Sequence, residues 1–384
     1  MHSHFIDAIS KISSTDWNAI TGVDYPFTRY EFLSALEKSG AVSRENGWEP
    51  HHLLLYDQEE LIAVMPLYLK YHSYGEYVFD WAWADAYQKH HLNYYPKLLR
   101  AIPFTPATGP RLCIKNNHIE ENIYHHVYEA LIKEAEKLNA SSCHILFPET
   151  EVKNCFKQSG FLTRTGVQYH WFNHAFTSFD DFLGTFSSRK RKNLKKERMK
   201  VNQQAITLKI FEGDKVSTDI WERFYYFYQM TYAKRSGHGG YLNQRFFEYI
   251  AKTMPENIVL VLAYRDGEEN TNAIAGALNF RDSTTLYGRY WGCVEEFDYL
   301  HFEACYYQGI EYCINNKLKR FDPGAQGEHK IQRGFVPIST WSNHWIKHPE
   351  FNRAIGDFLA EEKLEIKRYI TKAAELLPFK TNDT

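Results

Sequence analysis

Two separate stretches of this chain end in the same way. Gly160-Phe161 precedes His170-Trp171 by ten residues, and Gly334-Phe335 precedes His344-Trp345 by the same ten. Each Gly-Phe follows a segment patterned as a short helix, and each short helix follows a strand-like run, "CHILF" in one case and "KRFD" in the other. Self-similarity at this spacing means that one folding module is used twice. The 384 residues are enough for two modules at about 150 residues apiece. The expected division is 1–175 and 176–384, with the junction near 174–186.

The order of elements repeats as well. In the first half, "TRYEFLSALEKSG" reads as a helix opened by a Thr28/Glu31 capping box. "HHLLLYD" and "ELIAVMPLYLKY" read as strands about an acidic turn at Asp57 to Glu60. "YVFDWAWADAY" alternates with period two and reads as a strand, with a helix expected near residues 89–101. "NIYHHVYEALIKEAEKLN" is an amphipathic helix leading into the buried-strand run "CHILF". In the second half, "ITLKIFE" is strand-like and "DIWERFYYFYQMTYAKR" helical. "IVLVLAYRDGEENTNAIAGALNF" makes two strands about a polar turn. "TTLYGRYWGC" adds a strand and "HFEACYYQGIEYCINN" a helix. The fold class is therefore α/β (α+β), with a mixed, mostly antiparallel sheet flanked by helices in each copy.

Charge and composition exclude several classes. A net charge of -2 does not fit a protein that coats nucleic acid over its whole surface. Six cysteines without a CxxC pair read as free thiols in a reducing compartment. No basic segment followed by an apolar core opens the chain, and no run of 18 apolar residues exists, so the expectation is a cytoplasmic protein without a transmembrane segment. Eighteen histidines include three adjacent pairs, but none has HExxH spacing, so no metal is expected.

The wording of several segments, "FDWAWADAY", "FTPATGPRL", "YGRYWGC", "LHFEACYYQGIEYCI" and "FDPGAQGEHKIQRGF…HW", resembles the FemAB-like predicted N-acyltransferases, sometimes labelled peptidoglycan biosynthesis or recognition proteins. The resemblance covers nearly the whole chain. It implies two tandem GNAT-like acyltransferase domains, and transfer of an acyl or aminoacyl group from an activated donor to a small-molecule or peptide amine. The donor, an aminoacyl-tRNA or an acyl-CoA, is then a co-substrate and no cofactor is tightly bound. One departure matters. The Arg/Gln-x-x-Gly-x-Gly loop that wraps a pyrophosphate in acetyl-CoA-dependent relatives is absent. "GCVEEFDYLHFEA" stands in its place in the second copy, and "WADAYQKHH" in the first.

N-acyl transfer needs a group to take the amine's proton, fixed N–H donors for the developing oxyanion, and a grip on the donor. In "DPGAQGEHK", Asp322 ends a strand, Gly324 and Gly327 allow a tight turn, and Glu328, His329, Lys330 and Arg333 open a helix able to hold an anion. The plain structural reading is strand, turn and capped helix. His301 and Glu303 lie in the first turn of their helix, off its buried stripe. With Asp322 they are the candidate proton-handling residues, Glu303 first. Trp83 and Asp85 share a face of the expected "FDWAWADAY" strand and suit substrate stacking, or a core. Arg111 suits a substrate carboxylate or a buried acid, and Tyr287 with Arg289 a cation–π pair or a binding face. Eight Lys/Arg between Arg189 and Lys200 suit tRNA phosphate or a solvated helix face. The site is expected in a groove between or beside the domains, with the chemistry in the second copy. The alternative is a non-catalytic binder of a cell-wall-like peptide or lipid headgroup.

Overall fold

The two Gly-Phe stretches fold alike. In the computed structural model Gly160 and Gly334 have φ of 96° and 85°, a left-handed turn that ends each short helix and that glycine adopts without strain. Phe161 and Phe335 then enter the core. The structure describes residues 1–115, 121–237, 239–265 and 273–380. The chain divides into two units, Met1–Val167 with Ser339–Tyr369, and Gln168–Ile338 with the chain from Ile370 onward. The continuous division at 175/176 is thus replaced by an interleaved one. The first unit stops at Val167 and takes the chain back at Ser339.

In the first unit β1 (His2–Ile6) is followed by α1 (Ser14–Thr21), α2 (Tyr30–Lys38), β2 (Trp48–Pro50), β3 (His52–Asp57), β4 (Glu60–Met65) and β5 (Tyr68–Lys70). Then come α3 (Trp81–Lys89), β6 (Lys97–Arg100), β7 (Cys113–Ile114), α4 (Glu121–Lys137), β8 (Ser142–Leu146), α5 (Thr150–Gln158) and β9 (Leu162–Phe172), whose residues from Gln168 on belong to the second unit. Strands β1, β3, β4 and β7 form one antiparallel sheet. In the other, β8 pairs parallel with β6, which pairs with β5 and then β2. A parallel pair needs a crossover, and α4 lies in the connection from β6 to β8. Ile123, Val127, Leu131 and Ala135, at helical spacing on α4, pack against Leu53, Met65, Leu98 and Ile145 of the strands.

The second unit repeats this plan. It holds α6 (Phe179–Gly184), α7 (Ser188–Gln203), β10 (Ile206–Glu212), α8 (Thr218–Ser236), α9 (Gln244–Thr253), β11 (Ile258–Arg265), β12 (Ala273–Arg281) and β13 (Thr285–Cys293). A helix follows in three parts: α10 (Leu300–Phe302), a π-helical turn at Glu303–Tyr307, and α11 (Gln308–Asn315). β14 (Arg320–Asp322), a 3-10 turn at Glu328–Arg333, β15 (Val336–Ile346) and α12 (Pro349–Glu375) complete the chain. Strands β10 to β13 are antiparallel, and β14 joins β13 in parallel. The polar turn expected between β11 and β12 lies outside the described residues.

Each copy's final strand pairs with the other copy's penultimate one. β15 pairs with β8 through His344 opposite His144, and β9 pairs with β14 through Trp171 opposite Phe321. No helix among the described residues is long and apolar enough to cross a membrane.

Three local expectations are corrected. "FDWAWADAY" is not a strand but helix α3, in which Trp83 and Tyr87 are buried and Trp81 and Asp85 exposed. Aromatic residues at every second position also recur at every fourth, and the intervening alanines favour helix. Residues 89–101 are not a helix. α3 ends at Lys89, and β6 follows a cis Tyr95-Pro96 bond, since proline removes a helical donor and Leu98 and Leu99 are buried in the sheet. The Thr28/Glu31 capping box does not form. The helix starts at Tyr30, Thr28 is buried, and Glu31 pairs with Arg29.

Candidate active site

Asp322 ends β14 with almost no solvent exposure. Two bonds from the Arg289 guanidinium reach it, at 2.8 and 3.4 Å, and the Gly324 amide donates to it at 2.9 Å. His170 of β9 stands with Nε2 3.6 Å from its Oδ1. Burial pushes the Asp322 carboxyl up, but Arg289 and His170 outweigh it and hold the group well below the usual carboxylate range. Burial pushes His170 down to about 4 against the pull of Asp322, so its ring is neutral near pH 7. In the first unit the equivalent crossing holds His144 and His344, Nδ1 to Nδ1 at 2.6 Å.

The segment after Asp322 is built around its own side chains. Gly324 and Gly327 take positive φ, as the turn demands. Buried Lys330 donates to the Gly324 carbonyl at 2.7 Å, and burial lowers its ammonium to about 8, Asp322 opposing. The expected helix start is a six-residue 3-10 turn, Glu328–Arg333, in which Lys330 N–H already bonds Gly327 O. Glu328 is exposed on it. His329 accepts or donates to the Tyr306 hydroxyl at 2.8 Å, and partial burial moves it down to about 4. Arg333 lies 3.4 Å above the Phe302 ring and donates twice to Glu197 at 2.9 Å.

Beside this layer is a cavity of about 290 Å³. Trp291 and Cys293 at the end of β13 form one wall, and Tyr299, His301 and Phe302 another. The last turns of α8 contribute Thr231, Lys234 and Arg235, and the loop after β13 supplies Glu295 and Glu296. The space exists because β13 and β14 pair only from Thr285 to Tyr287 and from Arg320 to Asp322, while β13 runs on to Cys293. His301 is half-buried against Trp291 and Tyr306, with ring centroids 5.4 Å away in each case. Burial lowers it to about 3, with His329 and Arg235 adding to the shift, so it is a neutral imidazole near pH 7. Its ring nitrogens take no hydrogen bond from any described residue.

Glu303 does not reach this cavity wall. It sits in the π-helical turn with both oxygens held by Arg198 of α7, at 2.7 and 3.0 Å, and accepts from Gln308 at 2.8 Å. Arg198 also grips Glu311 at 2.9 and 3.0 Å and stacks 4.5 Å from Phe179. The one-residue π insertion buries both Tyr306 and Tyr307, which turn their hydroxyls to His329 and Glu197. The basic run splits by face. Lys190 meets Gln332, Lys195 meets Asp180, and Arg198 is clamped, whereas Arg189, Lys192 and Lys196 are exposed along one side of α7.

The remaining candidates are scattered. Tyr287 is buried and donates to Asp282 at 2.6 Å, with the Arg289 guanidinium 5.3 Å from its ring. Trp83 packs its ring 4.9 Å from His344 in the first unit, and Asp85 is an exposed partner of Lys89. Arg111 is fully buried, and its donors go to the carbonyls of Leu146, Pro110 and Ala107 rather than to Asp80 or Asp85. Trp291, which the sequence sets on one strand face with Tyr287 and Arg289, lines the cavity without them. Sequence reasoning missed Lys234 and Arg235 as cavity residues, whose signal was present only as the end of a helix. It also missed the buried ion cluster of the first unit. There Lys97 donates to Ser73, Glu76 and Asp80 at 2.9, 2.8 and 2.5 Å, and Lys70 lies 3.9 Å from Glu76. Burial raises Glu76 to about 7 and lowers Lys70 to about 6.

A mixed sheet whose parallel pair parts after three residues, with a cavity at the end of the longer strand and the whole plan duplicated, defines a tandem GNAT-like protein. The chain belongs to the FemAB-like family, described as peptidoglycan biosynthesis/recognition, whose pattern matches residues 8–381. Among solved structures, FemX is 13% identical with a TM-score of 0.53, over 93% of this chain and 100% of FemX. L-PGS from Bacillus licheniformis is 9% identical with a TM-score of 0.50, over 91% and 97% of the two chains. The C-terminal domain of a putative lysylphosphatidylglycerol synthetase from Agrobacterium fabrum is 10% identical with a TM-score of 0.51, over 89% and 95%. At these identities the likeness is one of fold. No curated protein matches the sequence.

Proposed function

We propose that the chain is an N-acyltransferase that moves an acyl or aminoacyl group from an activated donor, an aminoacyl-tRNA or an acyl-CoA, to the amine of a small molecule or peptide. The observation that carries this reading is His301. It is a neutral imidazole in the wall of a cavity at the end of the parted strand, with its nitrogens unengaged by described residues. As the amine nitrogen attacks the acyl carbon and the carbon–oxygen or carbon–sulfur bond to the donor breaks, the amine must lose a proton, and in this reading His301 accepts it. Lys234 and Arg235 suit the donor's phosphates, and Glu295 and Glu296 suit an ammonium group. Exposed Arg189, Lys192 and Lys196 suit the backbone of a tRNA donor. Glu303 and Asp322 act through structure in this reading, the first fixing α7 to the π turn and the second fixing the Gly324 loop.

A non-catalytic binder of the same fold is the second reading, favoured by the engagement of Glu303 and Asp322 in ion pairs. His301→Gln separates the two. Incubation with labelled aminoacyl-tRNA or acyl-CoA and an amine acceptor should show turnover that falls about 10²–10⁴-fold in the variant with donor affinity retained. Turnover that is absent from the unaltered protein with every donor, alongside ligand-induced stabilisation of about 2.7 kcal/mol at 100 times the Kd, would establish the binder instead.

A further inference from the structure

The four ionic side chains that line the His301 cavity are not equivalent. Lys234 already donates to the Val294 carbonyl at 3.3 Å, and Glu295 pairs with Arg265 at 3.5 Å. Arg235 and Glu296 are exposed and have no hydrogen bond or ion pair with any described residue. One cation and one anion are thus left over in a single cavity.

Much of the remaining wall is apolar. The rings of Phe297, Tyr299 and Phe302 each carry a cation already, Arg265 at 5.3 Å, Lys200 at 5.3 Å and Arg333 at 3.4 Å. A second cation laid on them would meet a like charge, so they suit an apolar group, as Trp291 does. At about 290 Å³ the cavity lies at the small end of the ~300–1,000 Å³ range of small-molecule sites.

A ligand that satisfies all of this has one anionic group, one cationic group and a compact apolar body. A free α-amino acid with a large apolar side chain has that form. Its carboxylate matches the donor fork of Arg235. Its amine is mostly an ammonium at pH 7 and matches Glu296. The amino terminus of a peptide brings the ammonium, but its first carbonyl is an amide, which leaves Arg235 without an anion.

We propose that the cavity takes a free α-amino acid with a large apolar side chain, its carboxylate on Arg235 and its amine beside Glu296 and His301, and that this amino acid is the acyl acceptor. The acceptor role rests on the acyl-transfer reading, whereas the binding does not. The ammonium gives one proton to His301. As the nitrogen bonds to the acyl carbon and the carbon–oxygen or carbon–sulfur bond of the donor breaks, a second proton leaves on the departing oxygen or sulfur. The product is an N-acyl amino acid. Arg235 then serves the acceptor and Lys234 the donor.

Ligand-observed NMR titration of the full chain with L-phenylalanine, L-leucine and L-tryptophan reads binding with no donor present. At least one should bind. Its amide, which lacks the carboxylate, and its deaminated analogue should each bind about tenfold more weakly or worse, since each loses a charge-assisted pair. Arg235→Gln should weaken the amino acid by a similar factor and leave its amide unchanged. Glu296→Gln should weaken the amino acid and leave the deaminated analogue unchanged. Retained binding of the matched analogue also reports an intact fold. The proposal is overturned if none of the three binds, if the amide binds as tightly as the amino acid, or if Arg235→Gln keeps the preference between them. Acylation of other amines by a protein that binds none of these amino acids would overturn it and leave acyl transfer standing. Binding in the expected pattern by a protein that acylates nothing would overturn acyl transfer and the acceptor role, and leave the amino-acid site standing.

Discussion

Asp322 shows how much a single side chain can be asked to hold. It neutralises Arg289, orients the Gly324 amide and faces His170, all without solvent. Asp322→Asn keeps the shape but leaves the Arg289 guanidinium buried without its counter-charge. Urea unfolding should show a loss of about 3–5 kcal/mol, and the Gly324 turn should loosen. Asp322 was visible in the sequence as an acid at a strand end before a glycine turn. Its partner His170 was not, because only the pairing of β9 with β14 brings the two together. The same holds for Glu303, legible as an acid in a first helical turn but not as the partner of Arg198. His301 was singled out from its place off the buried stripe. Its cavity neighbours Lys234 and Arg235 belong to another helix, so no local pattern could join them to it.

Among the elements, α8 and β13 approach so closely that only glycine fits at Gly292. An added Cβ would lie 2.2 Å from the Phe227 carbonyl carbon and 2.3 Å from its oxygen. Gly292→Ala must therefore push the two backbones apart. A loss of about 1–3 kcal/mol is expected in chemical unfolding, together with weaker donor binding, because α8 brings Thr231, Lys234 and Arg235 to the cavity. Long periodic segments such as α4 and the repeated strand–helix–Gly-Phe unit were legible because one period dominated them. α3 was not, since its aromatics satisfy both the two-residue and the four-residue spacing and only burial of Trp83 and Tyr87 decides between them. The basic run was legible as charge. Its division into clamped and exposed cations follows from the helix turning half of them inward.

Over the whole molecule, histidines held without charge give the protein a pH-dependent stability. His144 and His170 are buried and His301 is half-buried, and they are pushed below their ordinary 6.5, to about 3, 4 and 3, chiefly by burial. A depressed folded-state value means that the unfolded chain binds the extra protons. The stabilisation is complete above pH 6.5 and is lost as pH falls toward 4 and 3. Thermal unfolding followed from pH 7.5 to 4 should show a Tm that falls steadily, and a flat profile would contradict the burial of these rings. The duplication was legible at this scale, but the exchange of final strands was not, since either partner satisfies the same local pattern. That exchange has a consequence for biosynthesis. β8, made early, waits for β15, whose His344 is synthesised 200 residues after its partner His144. The first module therefore cannot complete its sheet until the whole second module has been made. It must be kept from mispairing over that interval, and a gene cut at the repeat boundary would yield two fragments that each lack a strand.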